Sequence, residues 1–348
     1  DLARGQTARG HRVGIIADAT TGGAQAEAAL AELSGSLALG VTRVPMSRQL
    51  GLTDASAVGH VGGRARETAV DVLHGHGAKG GAYARLARAP GALRAYTPHG
   101  GSLHYRWGSP SGLLYLSLER LLIPRTSLFL FESAYGRDVF RAKVGRPSQA
   151  VRVVHNGVAP AEFAPIIADA RASDLVFIGE LRVLKGVAVL IEAMALLGRE
   201  GREVSATIVG DGPDRAAFAA QVRTLGLTDR VQFVGAKPAR AGFALGRLLV
   251  VPSLAESLPY IVLEAAAAGI PFIATRVGGI PEILGPDSAE LVPPDDPAAL
   301  ARAIDQALRE PAAKRAAGMR IQARVRDVFS TKAMTEAVLA AYGDALLR

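Results

Sequence analysis

Short apolar runs alternate with longer helix-patterned stretches along this chain. The alternation halts once, in the Pro- and Ala-rich segment Val158 to Ser173, and then restarts. This rhythm constrains the fold more than any other feature. Parallel strands need a crossover that carries the chain back to the same sheet end, and a helix laid on the sheet face supplies it. Repeated strand-then-helix order therefore predicts a parallel sheet with helices on both faces. A second round after a break predicts two such sheets, and 348 residues suit two domains better than one. The fold class is α/β, doubly wound. The boundaries fall at 1–158 for a first domain, 159–173 for a linker and 174–330 for a second domain, with 331–348 a terminal helix crossing back to the first.

Within the first half, Val70 to Leu73 is read as a strand, HGHGAKGG as a loop and Ala82 to Arg88 as a helix. The strand Leu93 to Thr97 then runs into PHGGSLHYRWGSP. Asp1 to Arg9 reads as the end of a helix ahead of a strand at Arg12 to Ala17. A doubly wound domain opens with a strand, so a first strand and its loop are expected to be missing from the N-terminus.

The most informative stretch is Val251 to Gly285. An apolar strand ends at Pro252 and Ser253, and a short loop carries Glu256. Pro259 suits the first turn of a helix, and Gly269 with Pro271 closes it. Glu264 lies inside that helix, in the apolar segment YIVLEAAAAG. A carboxylate there is unfavourable without a partner, such as a pair of sugar hydroxyls. Simple capping of the helix is the competing reading. In parallel α/β sheets, ligands bind beyond the carboxyl ends of the strands.

GELRVLKG follows the strand Leu175 to Ile178 and precedes a helix. Arg182, Lys185, backbone N–H groups and a helix dipole would converge there on an anion. A solvated basic turn with a glycine cap fits the same residues. Together with Glu256 and Glu264 the loop describes a ligand bearing a diphosphate and vicinal hydroxyls. Gly210-Asp211-Gly212-Pro213 lacks the third glycine of a dinucleotide fingerprint and reads as a tight turn beside a base pocket. His99 in YTPHGG sits among glycines that let a ligand approach closely. His74 and His76 are expected to make local hydrogen bonds. No third ligand type clusters with these histidines, so no metal site is expected.

The chain has no cysteine, which excludes disulfides and thiolate metal sites and suits a reducing compartment. No apolar run is long enough to span a membrane. Residues 1–160 hold 19 Lys+Arg against 10 Asp+Glu, and the remainder is nearly balanced. A basic half suggests an anionic partner, and an arginine-rich composition throughout is the plainer explanation. Aromatic content is only 5% and no nucleic-acid module is visible, so nucleic acid is set aside in favour of an anionic membrane surface.

Glu256 and Glu264 form an E-x7-E pattern within PSLAESLPYIVLEAAAAGIPFIAT. With the loop ending Lys185-Gly186, the GDGP turn, HNGV from His155 and RGHRV near the start, the chain resembles the retaining glycosyltransferases of the GT-B fold, family 4. HGHGAKGG and YTPHGG resemble the bacterial branch that builds surface polysaccharides. The resemblance implies two Rossmann-like domains facing a cleft. It implies transfer of a hexose from a UDP- or GDP-sugar to a glycan or lipid-linked acceptor, without metal or cofactor. Arg182 and Lys185 would neutralise the diphosphate, Glu264 bind the ribose and Glu256 contact the sugar near its anomeric carbon. Ser257 and Leu258 belong to the sugar and phosphate loop. Ala236 and Lys237 flank the base, and His99 faces sugar and acceptor. Two positions depart from the pattern: Glu180 stands where the family usually has Arg, and Ser257 where it often has Gly. A nucleotide-sugar epimerase on the same fold, or a truncated nucleotide-binding chain with little turnover, are the alternatives. The expected location is the cytoplasm, peripheral to the inner face of the cytoplasmic membrane.

Overall fold

The computed structural model describes residues 1–46 and 51–348. In chain order the first elements are α1 (Leu2–Thr7), β1 (Ile15–Asp18), α2 (Gly23–Ser34), β2 (Val41–Val44), α3 (Leu52–Glu67), β3 (Val72–His76) and α4 (Gly77–Leu86). They are followed by β4 (Leu93–Thr97), α5 (Pro110–Leu122), β5 (Leu128–Phe131), α6 (Ala134–Lys143) and β6 (Ala150–Val153). The rhythm then restarts with β7 (Ser173–Ile178), α7 (Val187–Arg199), β8 (Ala206–Val209), α8 (Arg215–Thr224), β9 (Val231–Phe233) and α9 (Ala239–Phe243). The last elements are β10 (Gly246–Val251), α10 (Tyr260–Ala267), β11 (Phe272–Ala274), α11 (Ile280–Leu284), α12 (Pro297–Arg309), α13 (Pro311–Val328) and α14 (Thr331–Leu346).

Two compact units emerge. One comprises Asp1–His155 with Thr331–Arg348, the other Asn156–Ser330. Every strand pair in both is parallel. The fold is thus α/β with Rossmann-like sheets.

In the first unit, β1 pairs with β2, and a separate sheet has the order β3-β4-β5-β6. Alternation along β4 and β5 splits the core. Leu93, Ala95, Leu128 and Leu130 pack with Val338, Ala341 and Tyr342 of α14 on one face. Tyr96, Phe129 and Phe131 meet Leu116 and Phe140 on the other. A buried polar knot is set into this second face. The Arg85 guanidinium donates to Glu119 at 2.8 Å, and the Tyr96 and Ser102 hydroxyls donate to the other Glu119 oxygen at 2.6 and 2.8 Å.

The glycine-rich stretch HGHGAKGG is not a loop. β3 runs through His76, and α4 begins directly at Gly77. Its glycines serve close packing. A Cβ on Gly81 would lie 2.1 Å from the Tyr96 ring, and one on Gly75 would lie 2.6 Å from the Gly80 carbonyl oxygen. The strand expected at Arg12 likewise begins later, at Ile15.

In the second unit the strand order is β11-β10-β7-β8-β9. The chain builds outward from β7 to β9, then returns to add β10 on the opposite side of β7. Leu175 and Phe177 of β7 face α7, α8 and α12, while Val176 and Ile178 face α10, α11 and α13. The Pro-rich segment before β7 contributes a short 3-10 turn, Pro160–Phe163, and packs Phe163 and Ile166 against that second cluster.

Candidate functional site

β7 and β10 are adjacent, yet the chain leaves them toward opposite edges of the sheet. Such a switch point opens a crevice at the strand carboxyl ends. The loop after β7 carries Glu180 to Lys185, and the loop after β10 carries Ser253 to Leu258. The two loops are locked together. The Leu254 N–H donates to the Leu184 carbonyl at 2.8 Å. Gly186 has φ +70°, and a Cβ there would lie 1.9 Å from the Pro252 carbonyl oxygen, so the backbones approach as only glycine permits. Gly186 then caps α7.

The side chains meet as well. Lys185 Nζ donates to Glu256 Oε1 at 2.7 Å, and Ser253 Oγ donates to the same oxygen at 2.8 Å. Glu256 is buried, and both of these bonds fall on the one oxygen. A third loop, the GDGP turn after β8, props the first. Leu181 N–H donates to the Asp211 carbonyl at 2.9 Å, and Asp214 Oδ2 accepts from the Val183 N–H at 2.8 Å.

Arg182 is placed differently from Lys185. It is exposed and lies 3.7 Å from the equally exposed Glu180. Ser257 accepts a backbone hydrogen bond from Gly279, while the Leu258 side chain is buried in the core. Ala236 and Lys237 lie exposed after β9, next to Gly235, whose carbonyl accepts from the Gly210 N–H. Glu264 sits in the second turn of α10, half-buried. Desolvation, with the Glu162 carboxylate as a lesser cause, raises its pKa above the ordinary carboxylate value. No acidic residue stands in the first turn of α10, and Glu264 lies beyond it.

In the first unit, His99 follows β4 with φ +52°, a left-handed conformation uncommon outside glycine. His76, at the end of β3, is the partner that sequence reasoning missed. His76 Nδ1 lies 2.9 Å from His99 Nε2, and the rings stack at 5.2 Å. The only signal was that a histidine stands at the end of β3 and another two residues past the end of β4. His74 bonds Thr97 of the neighbouring strand at 2.9 Å and, less locally than expected, Tyr342 of α14 at 2.6 Å. Both imidazoles of His74 and His76 are held neutral. Desolvation and the neighbouring rings push His76 down to about 4 and His74 well below its ordinary value. Desolvation also lowers His99, against an opposing pull from Glu132. Among the described residues no group of three or more His, Asp or Glu is placed to hold a metal ion.

Two family models cover most of the sequence. One described as "Glycosyltransferase Family 4" matches residues 1–162, and one described as "Glycosyl transferases group 1" matches residues 172–310. EpsD of Bacillus subtilis (strain 168), a protein named as a glycosyltransferase, is 31% identical over 263 residues, covering 69% of this chain and 68% of EpsD. The chain belongs to the group 1 glycosyltransferases. It spans about half the length of other curated members of the family that it matches. Two solved structures share the fold. Sucrose-phosphate synthase from Thermosynechococcus elongatus superposes with a TM-score of 0.82 at 21% identity, over 99% of this chain and 92% of that one. Anabaena HepE in complex with UDP superposes with a TM-score of 0.76 at 19% identity, over 95% and 99%. The sheets described above are thus those of the GT-B glycosyltransferases.

Proposed function

We propose that this chain is a retaining glycosyltransferase that moves a hexose from a nucleotide diphosphate sugar to a glycan or lipid-linked acceptor, in the building of cell-surface polysaccharide. The observation that carries the reading is the meeting of Lys185 and Glu256 at the switch point of the second sheet, beside the N-terminus of α7. Departure of a diphosphate needs negative charge stabilised where it develops, and a preorganised cation next to helix N–H groups does this. Lys185, with Arg182 swung from Glu180, takes the diphosphate. Glu256 contacts the sugar near its anomeric carbon, through the oxygen that neither Lys185 nor Ser253 bonds. Ser257 and the Leu258 backbone complete that loop. Glu264 accepts from the ribose hydroxyls, which removes the penalty of its half-buried charge. Ala236 and Lys237 border the base, and His99 serves sugar and acceptor. The bound UDP of HepE supports a uridine donor. The leaving phosphate oxygen takes the acceptor's proton on the face where it departs, so configuration is retained.

Thermal-shift measurement with UDP, GDP and ADP tests the donor half of this reading. One of the three is expected to raise Tm, and the matching nucleotide sugar is expected to release nucleotide on addition of acceptor glycan. A chain that no nucleoside diphosphate stabilises would overturn it.

A further inference from the structure

Three imidazoles stand in a row at the carboxyl edge of the larger sheet of the first unit. His74 and His76 lie on β3, two residues apart and so on one face of the strand, and His99 follows β4 by two residues. The inner ring is anchored. His74 commits both nitrogens, Nδ1 to the Tyr342 hydroxyl at 2.6 Å and Nε2 to the Thr97 hydroxyl at 2.9 Å, and both of those residues are buried. The middle ring is held between its neighbours. The His76 centroid lies 4.0 Å from that of His74 and 5.2 Å from that of His99, with the His99 ring within 20° of parallel.

Stacking alone would let the His99 ring turn in its own plane. The contact of His76 Nδ1 with His99 Nε2 at 2.9 Å stops that rotation. A bond between two imidazoles needs a proton on one nitrogen and a lone pair on the other, so at least one ring must stay uncharged. Desolvation pushes all three histidines toward the neutral form. His99 sits where such a hold is needed. It and Gly100 both take positive φ, +52° and +76°. A non-glycine residue keeps that conformation only where its surroundings over-determine it. On the far side, Glu132 stands one residue past β5, the next strand of the sheet, where it is buried and its charge draws His99 toward the protonated form.

An imidazole offers two nitrogens, and the bond made by one governs what the other can do. With Nε2 taken by His76, Nδ1 is the nitrogen of the exposed His99 ring that can serve a ligand. We propose that His76 is a positioning residue for His99: by holding Nε2 it fixes the ring and presents Nδ1 to the sugar or acceptor. The inference rests on the reading of His99 given above and adds a residue that acts through it.

The test begins without any ligand. The chain has seven histidines, and isotopic labelling of their nitrogens allows each ring to be followed by NMR. In the parent a scalar coupling is expected between a His76 and a His99 nitrogen, a direct signature of the bond. His76→Phe keeps an aromatic ring in the stack and removes the nitrogen, so the His99 nitrogens should move to the averaged shifts of a free imidazole. His76→Ala gives the same comparison should phenylalanine not fit. Initial rates are then taken with the sugar nucleotide and acceptor that release nucleotide in the assay above. His76→Phe is expected to lower kcat by about 10–100-fold, the scale of a misplaced group at a reacting centre. The KM for sugar nucleotide should hold, because the donor contacts belong to the other unit. His76→Asn, which sets an amide where Nδ1 stood, should recover most of the rate. Absence of the coupling in the parent would overturn the hold. A His76→Phe chain that turns over like the parent, or a His76→Asn chain as slow as His76→Phe, would overturn its role. Spectra as expected from a parent that turns over no sugar nucleotide would overturn the reading of His99 and leave the hold of His76 on its ring supported.

Discussion

Lys185 Nζ and Glu256 Oε1 lie 2.7 Å apart, although 71 residues separate them in sequence. The pair joins the two loops that leave the central strands of the second sheet, and one lysine serves both a buried carboxylate and, in the proposed reaction, a diphosphate. Removing the lysine therefore has two effects. Lys185→Ala is expected to lower kcat/KM by about 10²–10³-fold, the scale of losing one preorganised charge at a reacting group. It also strands Glu256 and is expected to lower stability by about 1–3 kcal/mol. Glu256→Gln in the Lys185→Ala background restores that stability without restoring turnover. Urea denaturation and initial rates of the two single variants and the double variant check this. Stability that fails to return in the double variant would mean the pair does not carry it.

Gly186 offers a backbone test of the same junction. Its φ of +70° and a Cβ position 1.9 Å from the Pro252 carbonyl oxygen leave an alanine no room. Gly186→Ala should cost more than about 1 kcal/mol of conformational strain alone and should lose nucleotide binding. Gly201 has φ +75° with nothing within 4 Å of its Cβ position. Gly201→Ala should show only the strain. Equal Tm losses in the two variants would contradict the close approach.

The knot around Glu119 ties the histidine-bearing loop to the first unit. Arg85 is 1% and Glu119 3% exposed, so the pair sits away from water. Glu119→Gln leaves the guanidinium buried without its counter-charge and is expected to cost about 3–5 kcal/mol. Ser102→Ala removes one donor to Glu119 and is expected to cost about 1 kcal/mol. Denaturant titration of both variants gives the comparison. A Glu119→Gln loss no larger than that of Ser102→Ala would show that the charge is not what matters.

The histidines set a pH response. His76, held near 4 against an ordinary 6.5, is neutral in the fold and protonated more readily in the unfolded chain. Between those values the unfolded state binds more protons, so stability rises with pH. This contribution is complete above about 6.5 and is lost as pH falls toward 4. His74 and His99 act in the same direction. His76→Asn should flatten the decline of Tm between pH 6.5 and 4.5. Parallel profiles for parent and variant would refute it.

Much of the site was legible before any coordinates, because its motifs are local. E-x7-E and the loop ending in Lys185 each read directly from strand-loop-helix patterning. That both serve one ligand was read there too, but the direct Lys185–Glu256 contact was not. It depends on β10 returning to lie beside β7 after β8 and β9 have been added on the other side, and nothing in local patterning encodes that crossover. HGHGAKGG was misread for the opposite reason. Glycine is a loop signal when it supplies positive φ, but Gly75 and Gly81 are there so that β3, α4 and the Tyr96 ring can touch. His76 was hidden with them, since its contact with His99 requires the strand to continue to its end. The Arg85–Glu119 pair left no trace in the pattern, because charged residues on a helix read as solvent-facing.

Glu264 poses the sharpest conflict between stability and proposed function. Its carboxyl is half-buried on α10 among alanine and leucine, and desolvation together with Glu162 raises its pKa. A raised carboxyl pKa means that the fold binds protons more readily than the unfolded chain. Its ionised form thus opposes folding, and stability falls as pH climbs through the ordinary 4.5 toward the folded value. A carboxylate kept at such a position earns its place through a ligand, and ribose hydroxyls donating to it would relieve the strain on binding. Glu264→Gln should therefore raise the Tm of the free chain. It should also weaken the preferred nucleoside diphosphate by about 10–100-fold, the range of a lost charge-assisted hydrogen-bond pair. The same variant should bind the 2′,3′-dideoxy nucleotide as the parent does, because neither then has hydroxyls to recognise. Thermal shift and calorimetry on parent and variant decide it: a Glu264→Gln chain that is more stable yet binds the ribonucleotide unchanged would remove Glu264 from the donor site.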